Sequence, residues 1–586
     1  MTQTFTDTGQ ATVLIGNLKD LKQSFDSGIA VQTVFVSTRT LEKVGELGLC
    51  KTCSAVLNNS ELKREITSVD IEHLKLLRPA RMDVFSRPKC LPGTRQEILN
   101  WITDWLITPS QSQNILWLHG LAGSGKSTIS TTIAEYFREL KRLGAFMFFD
   151  RSDPTNSEPA AVVRTLSYKL ASFHPAIRAA ICAQIESEPE ITEAHIHTQF
   201  SKLILEPVSS LPILHNEGPI IVILDAFDEC GDSRSRGSLL TLLAQQLEKF
   251  PSAFRFVITS RREFDIESAL SRRSNIMVRE LDIGSDTNSA DIYTYLRHHT
   301  ALMRTDPMLE LAVDWPGEEK VQVLASSAAG LFIWASTAVK FIEDGIHPDQ
   351  QLDILLHPHP REAESALDAL YAMALRAAAK WDSDDVCTGF RAVLGAIVTA
   401  RAPLSDTMID RLFSLDGPRS SRFILSRLRC LLQWSPGQPA WVLHASFQDY
   451  LTDPKRCGDQ HWFIDISFHH HHLALSCFRT MKTDLKFNIC DLETSHVSND
   501  DVLDLPDRIQ KYIPNRLSYS CHFWAEHVRR TKFRADADVI ACLDEFLCRR
   551  LLYWMEVLSL IKAVHIASPA LSSIVDWFPV SSYAGF

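Results

Sequence analysis

Residues 115–127 read Ile115-Leu116-Trp117-Leu118-His119-Gly120-Leu121-Ala122-Gly123-Ser124-Gly125-Lys126-Ser127, a short apolar run opening into a glycine-rich loop that ends in a lysine and a hydroxyl. Gly120, Gly123 and Gly125 permit backbone conformations closed to residues with a Cβ, so consecutive N–H groups can point inward at a phosphate. Lys126 adds positive charge at the β- and γ-phosphates, Ser127 offers a hydroxyl to Mg²⁺, and the helix that starts there presents its positive end. The loop from Gly120 through Leu121, Ala122, Gly123, Ser124, Gly125 and Lys126 to Ser127, with Thr128 behind it, is therefore an anion cradle for ATP or GTP. Its context agrees: residues 115–118 make the strand that must precede such a loop, and residues 128–140 make the helix that must follow, with Ile129, Ile133 and Phe137 on one face.

A Mg²⁺ ion bound beside a P-loop hydroxyl usually takes a carboxylate as well. Ile220-Ile221-Val222-Ile223-Leu224-Asp225 supplies one, five apolar residues of a central strand ending in an acid. Asp225 is assigned to the metal together with Ser127. Three residues on, Asp228 and Glu229 offer two more carboxylates to orient or deprotonate the water that attacks the γ-phosphate, and the sequence does not choose between them. A third apolar run, 254–258, leads into Thr259-Ser260-Arg261. Ligands of open parallel sheets bind at the carboxyl ends of strands, which puts Arg261 where a guanidinium senses the γ-phosphate.

Between residues 115 and 270 the runs 115–118, 145–149, 220–224 and 254–259 alternate with helical segments, the pattern of a parallel sheet covered by helices on both faces. The expected fold is an α/β P-loop NTPase domain followed by α-helical domains and a winged-helix module. Past about Asp282 amphipathic helices dominate. One exception lies at 431–444, where Leu431-Leu432-Gln433-Trp434, a turn at Ser435-Pro436-Gly437-Gln438 and Trp441-Val442-Leu443-His444 follow helices, as a hairpin does in a winged helix. The expected divisions are 1–80, helical in no identified fold, 81–275 for the NTPase, 276–365 helical, 366–455 winged-helix and 456–586 helical. Leu14, Leu18, Leu21 and Phe25 form one helical stripe near the start, residues 31–36 read as a strand, and Trp524, Trp554 and Trp577 are expected core anchors.

The chain has 586 residues and a formal net charge of -11, too acidic a balance for a general nucleic-acid binder, which needs a basic face to release phosphate counterions. No apolar stretch of about 18 residues spans a membrane, and Met1-Thr2-Gln3-Thr4 lacks the start of a signal peptide, so a cytoplasmic protein is expected. Thirteen cysteines without regular spacing fit a reducing compartment. Cys50 and Cys53 have metal-ligand spacing but no second pair. The run His469 to His472 cannot converge on one ion, because successive helical residues point about 100° apart, and reads as ordinary surface histidines.

Gly120 to Ser127, then Asp225-Ala226-Phe227-Asp228-Glu229-Cys230, then Thr259-Ser260-Arg261 together resemble a NACHT domain of the STAND class of signalling NTPases. The chain is most similar to the large fungal set that often carries C-terminal WD repeats and includes heterokaryon-incompatibility proteins. Cys90-Leu91-Pro92-Gly93-Thr94-Arg95, Gly330-Leu331-Phe332-Ile333-Trp334-Ala335, His444-Ala445-Ser446-Phe447-Gln448-Asp449-Tyr450-Leu451 and Asn488-Ile489-Cys490 carry the similarity onward, over roughly residues 76–577. The resemblance implies a switch that is closed with ADP and oligomerises with ATP, an unidentified protein trigger and effector, and slow hydrolysis. It also implies that His444 touches the β-phosphate of bound ADP. Residues 567–586 show no WD units and residues 1–80 match no effector domain, so a nucleotide-binding scaffold is the alternative, with a fast remodelling ATPase behind it.

Overall fold

The computed structural model describes residues 68–577 except 81–86, 109–112, 152–156, 158, 217, 232, 272, 308, 346, 358, 359, 361, 418, 419, 495–497 and 533–537. The stripe Leu14, Leu18, Leu21 and Phe25, the run 31–36 and the pair Cys50 and Cys53 lie outside the described residues. The chain divides into two compact units, Met1–Val339 with His347–Ala366, and Lys340–Ile346 with Leu367–Phe586.

Five strands organise the first unit: β1 Ile115–His119, β2 Leu143–Phe148, β3 Ile220–Asp225, β4 Phe254–Ser260 and β5 Ile276–Glu280. They form one parallel sheet in the order β2-β3-β4-β1-β5. The near-continuous apolar composition of β1, β3 and β4 follows from burial on both sides, since side chains alternate between faces and neither face of these strands meets water. Ile115, Trp117, Val222, Leu224, Phe256 and Ile258 enter one core. Leu116, Leu118, Ile221, Ile223 and Val257 enter another, where Ile129, Ile133 and Phe137 of helix Lys126–Glu139 meet them. Each such side chain contributes roughly 1.5–3 kcal/mol on burial, so the two cores hold the strand ends in fixed register. Because β4 lies between β1 and β3, the chain segments that leave these three strands emerge side by side at one edge of the sheet.

β5 was not among the strands read from the sequence. It runs along the outer side of β1, only Ile276 is buried, and Val278, Arg279 and Glu280 are exposed. An edge strand with one covered end gives neither a continuous apolar run nor a clean alternation. Beyond it, helices Asp286–Arg304, Glu318–Ser327 and Pro348–Leu355 complete the first unit, with helix Phe332–Glu343 beginning in it.

The second unit is helical apart from the hairpin at 431–444, which forms as paired two-residue strands, Leu432–Gln433 and Trp441–Val442. Helices Asp384–Thr399, Asp406–Phe413 and Ser421–Ser426 precede it, and Ser405 bridges to Pro439. Trp524 and Trp554 are fully buried and stack edge to face 5.8 Å apart. Trp577 is half-buried and donates its Nε1–H to the Thr531 carbonyl at 3.0 Å.

The histidine run corrects the sequence reading. Of the four histidines, which lie in helix Ile466–Asp484, His472 alone is exposed and His471 is half-buried, while His469 and His470 are 4% and 3% exposed. The argument from 100° steps excluded convergence on one ion but did not place all four side chains outside, and two adjacent positions face the neighbouring helices. Among the described residues no group of three or more His, Cys, Asp or Glu is placed to hold a metal. His469 fits only because residue 395 of helix Asp384–Thr399 is glycine, where a Cβ would overlap the His469 ring. Gly395→Ala is therefore expected to lower the unfolding free energy by about 2–3 kcal/mol, as overpacking does. A shift in the urea midpoint reads it, and an unchanged midpoint would mean that the two helices separate freely.

Candidate functional site

At the end of β1 the chain turns through Gly120 to Gly125, with φ of 77° at Gly123 and 96° at Gly125, left-handed values that a side chain would oppose. Gly125 caps helix Lys126–Glu139, whose first turn carries Lys126, Ser127 and Thr128. Lys126 Nζ donates to the carbonyls of Gly120 and Leu121, at 2.8 Å each. Burial pushes its ammonium down to about 8, against the attraction of Asp228. A buried cation satisfied mainly by loop carbonyls gains strongly from an anion placed in the same loop. The Ser124 hydroxyl is fully buried with no hydrogen-bond partner, a second polar group that an inward-bound phosphate would satisfy.

Two segments away from the loop hold its backbone. Arg95 sits in the left-handed region with φ 58° and donates Nη2–H to the Ser124 carbonyl at 2.6 Å, while its N–H donates to Asp291 at 2.9 Å. The guanidinium lies 4.5 Å above the ring of Phe332. The next residue, Ile333, donates its N–H to the Gly123 carbonyl at 3.1 Å. Gly330, with φ 82°, lets this segment approach: a Cβ there would overlap the Ile283 carbonyl, and Asn288 Nδ2 ties Ile283 O and Gly330 O together at 2.7 and 3.0 Å. With the carbonyls of Gly123 and Ser124 pinned outward, the loop N–H groups are left to face the cavity. Sequence reading recognised Cys90–Arg95 and Gly330–Ala335 as shared segments without giving either a role; both are braces of the phosphate loop.

The acids gather at the neighbouring strand ends. Asp225 closes β3, fully buried, with Oδ1 accepting from the Thr259 hydroxyl at 2.5 Å and Oδ2 without a partner. A buried carboxylate oxygen left over beside a P-loop is a fitting Mg²⁺ ligand, and Ser127, in the first turn of the following helix, would supply a hydroxyl to the same ion. Bound there, the ion would neutralise charge on the β- and γ-phosphate oxygens. Asp228, 4% exposed, accepts from the Arg261 N–H at 3.0 Å on Oδ1 and pairs with Arg261 Nε at 3.2 Å on Oδ2. Glu229 is pushed up to about 8 by burial, then by Asp228 and Asp150, and one of its oxygens accepts from the Arg151 N–H at 3.2 Å.

Sequence reading missed Arg236, which is 2% exposed and donates to the Asp228 carbonyl at 2.6 Å, to Glu263 at 2.5 Å and to Asp265. A signal was present: Arg236 shares the helical face of Leu239, Leu240 and Leu243, all buried, and a lone charge on an apolar face needs partners. Arg151 joins the same group, 3.2 Å from Glu263 and 3.8 Å from Asp228. The structure thus brings together Gly120 to Thr128, Asp225, Asp228, Glu229 and Arg261. His444 lies in the second unit, where its Nδ1 accepts from the Ser446 N–H at 3.2 Å and caps helix Ala445–Thr452.

Residues 93–261, which run from the Arg95 brace to Arg261, match the nephrocystin 3 N-terminal family. Over 496 residues, 77% of this chain, the sequence is 23% identical to the vegetative incompatibility protein HET-E-1 of Podospora anserina, and it spans 34% of that protein's length. Among solved structures, a STAND protein with a tetratricopeptide repeat sensor from Pyrococcus horikoshii is 13% identical with a TM-score of 0.37, covering 85% of this chain and 65% of the other. The RuvB branch migration motor of Thermotoga maritima is 12% identical with a TM-score of 0.26, covering 63% and 98%. No helix among the described residues is long and apolar enough to cross a membrane. With its phosphate loop and its acid-tipped third strand, the first unit has the architecture of a P-loop nucleotide-binding domain, and the sequence around them is similar to the nephrocystin 3 N-terminal family and to HET-E-1.

Proposed function

We propose that this chain is a nucleotide-dependent signalling switch that binds ATP or ADP with Mg²⁺ and hydrolyses slowly. The observation that carries the reading is the state of the two carboxylates nearest the expected water. Both oxygens of Asp228 are engaged by Arg261, and burial, with Asp228 and Asp150 beside it, pushes Glu229 above the usual carboxylate range. Neither is a ready base, whereas efficient proton transfer wants an unprotonated acceptor within reach. A γ-phosphate that draws the Arg261 guanidinium away would uncouple it from Asp228 Oδ2, so the same ion pair that slows hydrolysis also makes the site sensitive to the third phosphate.

The helical segments after the sheet, including the hairpin module at 366–455 read as a winged helix, and His444 as the ADP contact, complete the switch in this reading. The name of HET-E-1 refers to vegetative incompatibility, and a role in self and non-self recognition, with oligomerisation in the ATP state and a protein trigger, is the corresponding proposal here. Single-turnover hydrolysis and light scattering after size exclusion, in ADP and in a non-hydrolysable ATP analogue, test it together. The expected result is turnover well below about one per second, the median enzyme lying near 10 per second, and a larger particle only with the analogue. Fast turnover without assembly would favour a remodelling ATPase. Nucleotide binding with neither hydrolysis nor a change in size would leave a scaffold.

A further inference from the structure

The segment that precedes the Arg95 brace leads to a second arginine. Residues 87–95 lie along helix Lys126–Glu139: Lys89 Nζ reaches Glu135 at 2.9 Å, and the Cys90 N–H donates to the Thr132 hydroxyl at 3.0 Å. One end of this strap is fixed on the phosphate loop by Arg95 and Ser124. At the other end the Arg87 guanidinium lies over the ring of Phe148. Phe148 is the last residue of β2 and stands in register with Asp225, the last residue of β3. Arg87 is therefore delivered to the carboxyl edge of the sheet, beside the strand end that carries the metal carboxylate.

Charge points the same way. Burial works against the Arg87 cation, while Asp225, Asp150 and Glu229 favour it. Asp225, at the end of the adjacent strand, is also where a third phosphate and its metal would compete with this half-buried guanidinium for carboxylate charge. Stacking on an aromatic face fixes the guanidinium plane and leaves its N–H edge to bind an anion in a two-pronged fashion, which a lysine does not reproduce.

We propose that Arg87 binds the γ-phosphate of a nucleoside triphosphate in cis, so that the strap of residues 87–95 reports the third phosphate to the chain that precedes the NTPase domain. This rests on the nucleotide-switch reading above. When the γ-phosphate is present, Arg87 exchanges its carboxylate neighbours for phosphate oxygens; with a diphosphate it stays with them. The chemistry recognised is a terminal phosphate, so ADP is the control ligand.

Calorimetric titration of the full chain with Mg²⁺ and either ADP or a non-hydrolysable ATP analogue tests this without relying on turnover. A hydrogen bond to a charged group is typically worth a ten- to hundredfold change in affinity. Arg87→Ala is expected to weaken the analogue by roughly that factor and ADP by less than about threefold. Arg87→Lys, which keeps the charge but loses the fork, is expected to fall between wild type and Arg87→Ala. Equal weakening of both ligands, or of neither, would overturn the assignment. So would an Arg87→Lys variant that matches Arg87→Ala in affinity while both melt several degrees below wild type, which would mean that Arg87 only packs on Phe148. If wild type itself binds neither nucleotide, it is the P-loop reading that has failed, and that outcome is separate from a wild type that binds both and an Arg87→Ala chain that no longer tells them apart.

Discussion

Lys126→Ala should erase the thermal stabilisation that nucleotide gives this chain. A ligand at about 100 times its dissociation constant adds roughly 2.7 kcal/mol to a folded protein. In a unit of this size that corresponds to a melting shift of about 3–5 °C, which the variant is expected to lose. The variant should not melt lower than wild type in the absence of nucleotide. Lys126 is 9% exposed, and burial pushes its ammonium down to about 8 from an ordinary value of 10.5. At neutral pH the folded chain therefore carries the cost of a buried cation, at most about 3 kcal/mol at 1.4 kcal/mol per unit. As pH rises from 8 towards 10.5 the folded chain releases this proton while the unfolded chain still holds it, so stability contributed by this site rises over that window. Lys126→Ala should flatten that rise. A variant that kept its nucleotide shift would remove the phosphate loop from the account of binding.

The contrast between what Lys126 does and how it was found shows which physical signals a sequence carries. The P-loop is local: eight consecutive residues build one anion cradle, and the strand before it and the helix after it have periodicities that can be read directly. β3 and β4 were visible for the same reason, since burial on both faces forces an unbroken apolar run, and an acid or arginine at its end stands out. β5 was not, because an edge strand buried only at Ile276 leaves no such run. The braces of the loop were legible only as shared segments. Arg95 and Ile333 act on the carbonyls of Ser124 and Gly123, and no local pattern announces a contact between residues some 30 and 210 positions apart in the chain. Arg236 sits between these cases. Its position on an apolar helix face was readable, but Asp265 and the Asp228 carbonyl as its partners depend on how the strand ends assemble.

The histidines of the second unit failed for a different reason, and the correction carries the second large effect. His470 Nδ1 lies 2.8 Å from His527 Nδ1, His527 Nε2 lies 2.8 Å from the Tyr519 hydroxyl, and that hydroxyl accepts from the Arg401 N–H at 3.2 Å. Two proton arrangements satisfy the chain: Tyr519 donates to His527 Nε2 and His527 Nδ1–H to His470 Nδ1, or His470 Nδ1–H donates to His527 Nδ1 and His527 Nε2–H to Tyr519. Both rings are neutral in either, and a further proton on an acceptor nitrogen of the chain breaks a buried hydrogen bond. Burial pushes His470 down to about 3, helped by Arg530 and Arg401 against Glu526, and pushes His469 down to about 4. His527 is held well below its ordinary value by burial and by His470. Unfolded, all three would take up protons near pH 6.5. Between that pH and their folded values the unfolded chain binds more protons, so stability is present in full above about pH 6.5 and falls as pH falls. At about 1.4 kcal/mol per unit, His469 and His470 each withdraw up to roughly 3 kcal/mol by pH 4, which is a large share of the 5–15 kcal/mol a domain usually has. Urea unfolding of the full chain, followed by tryptophan fluorescence at pH 7, 6, 5 and 4, should show this loss. His470→Gln should reduce its slope by about one proton between pH 6 and 4, because the glutamine does not titrate. An unchanged slope in His470→Gln and in His469→Asn would place the acid sensitivity elsewhere and leave these buried rings as packing alone.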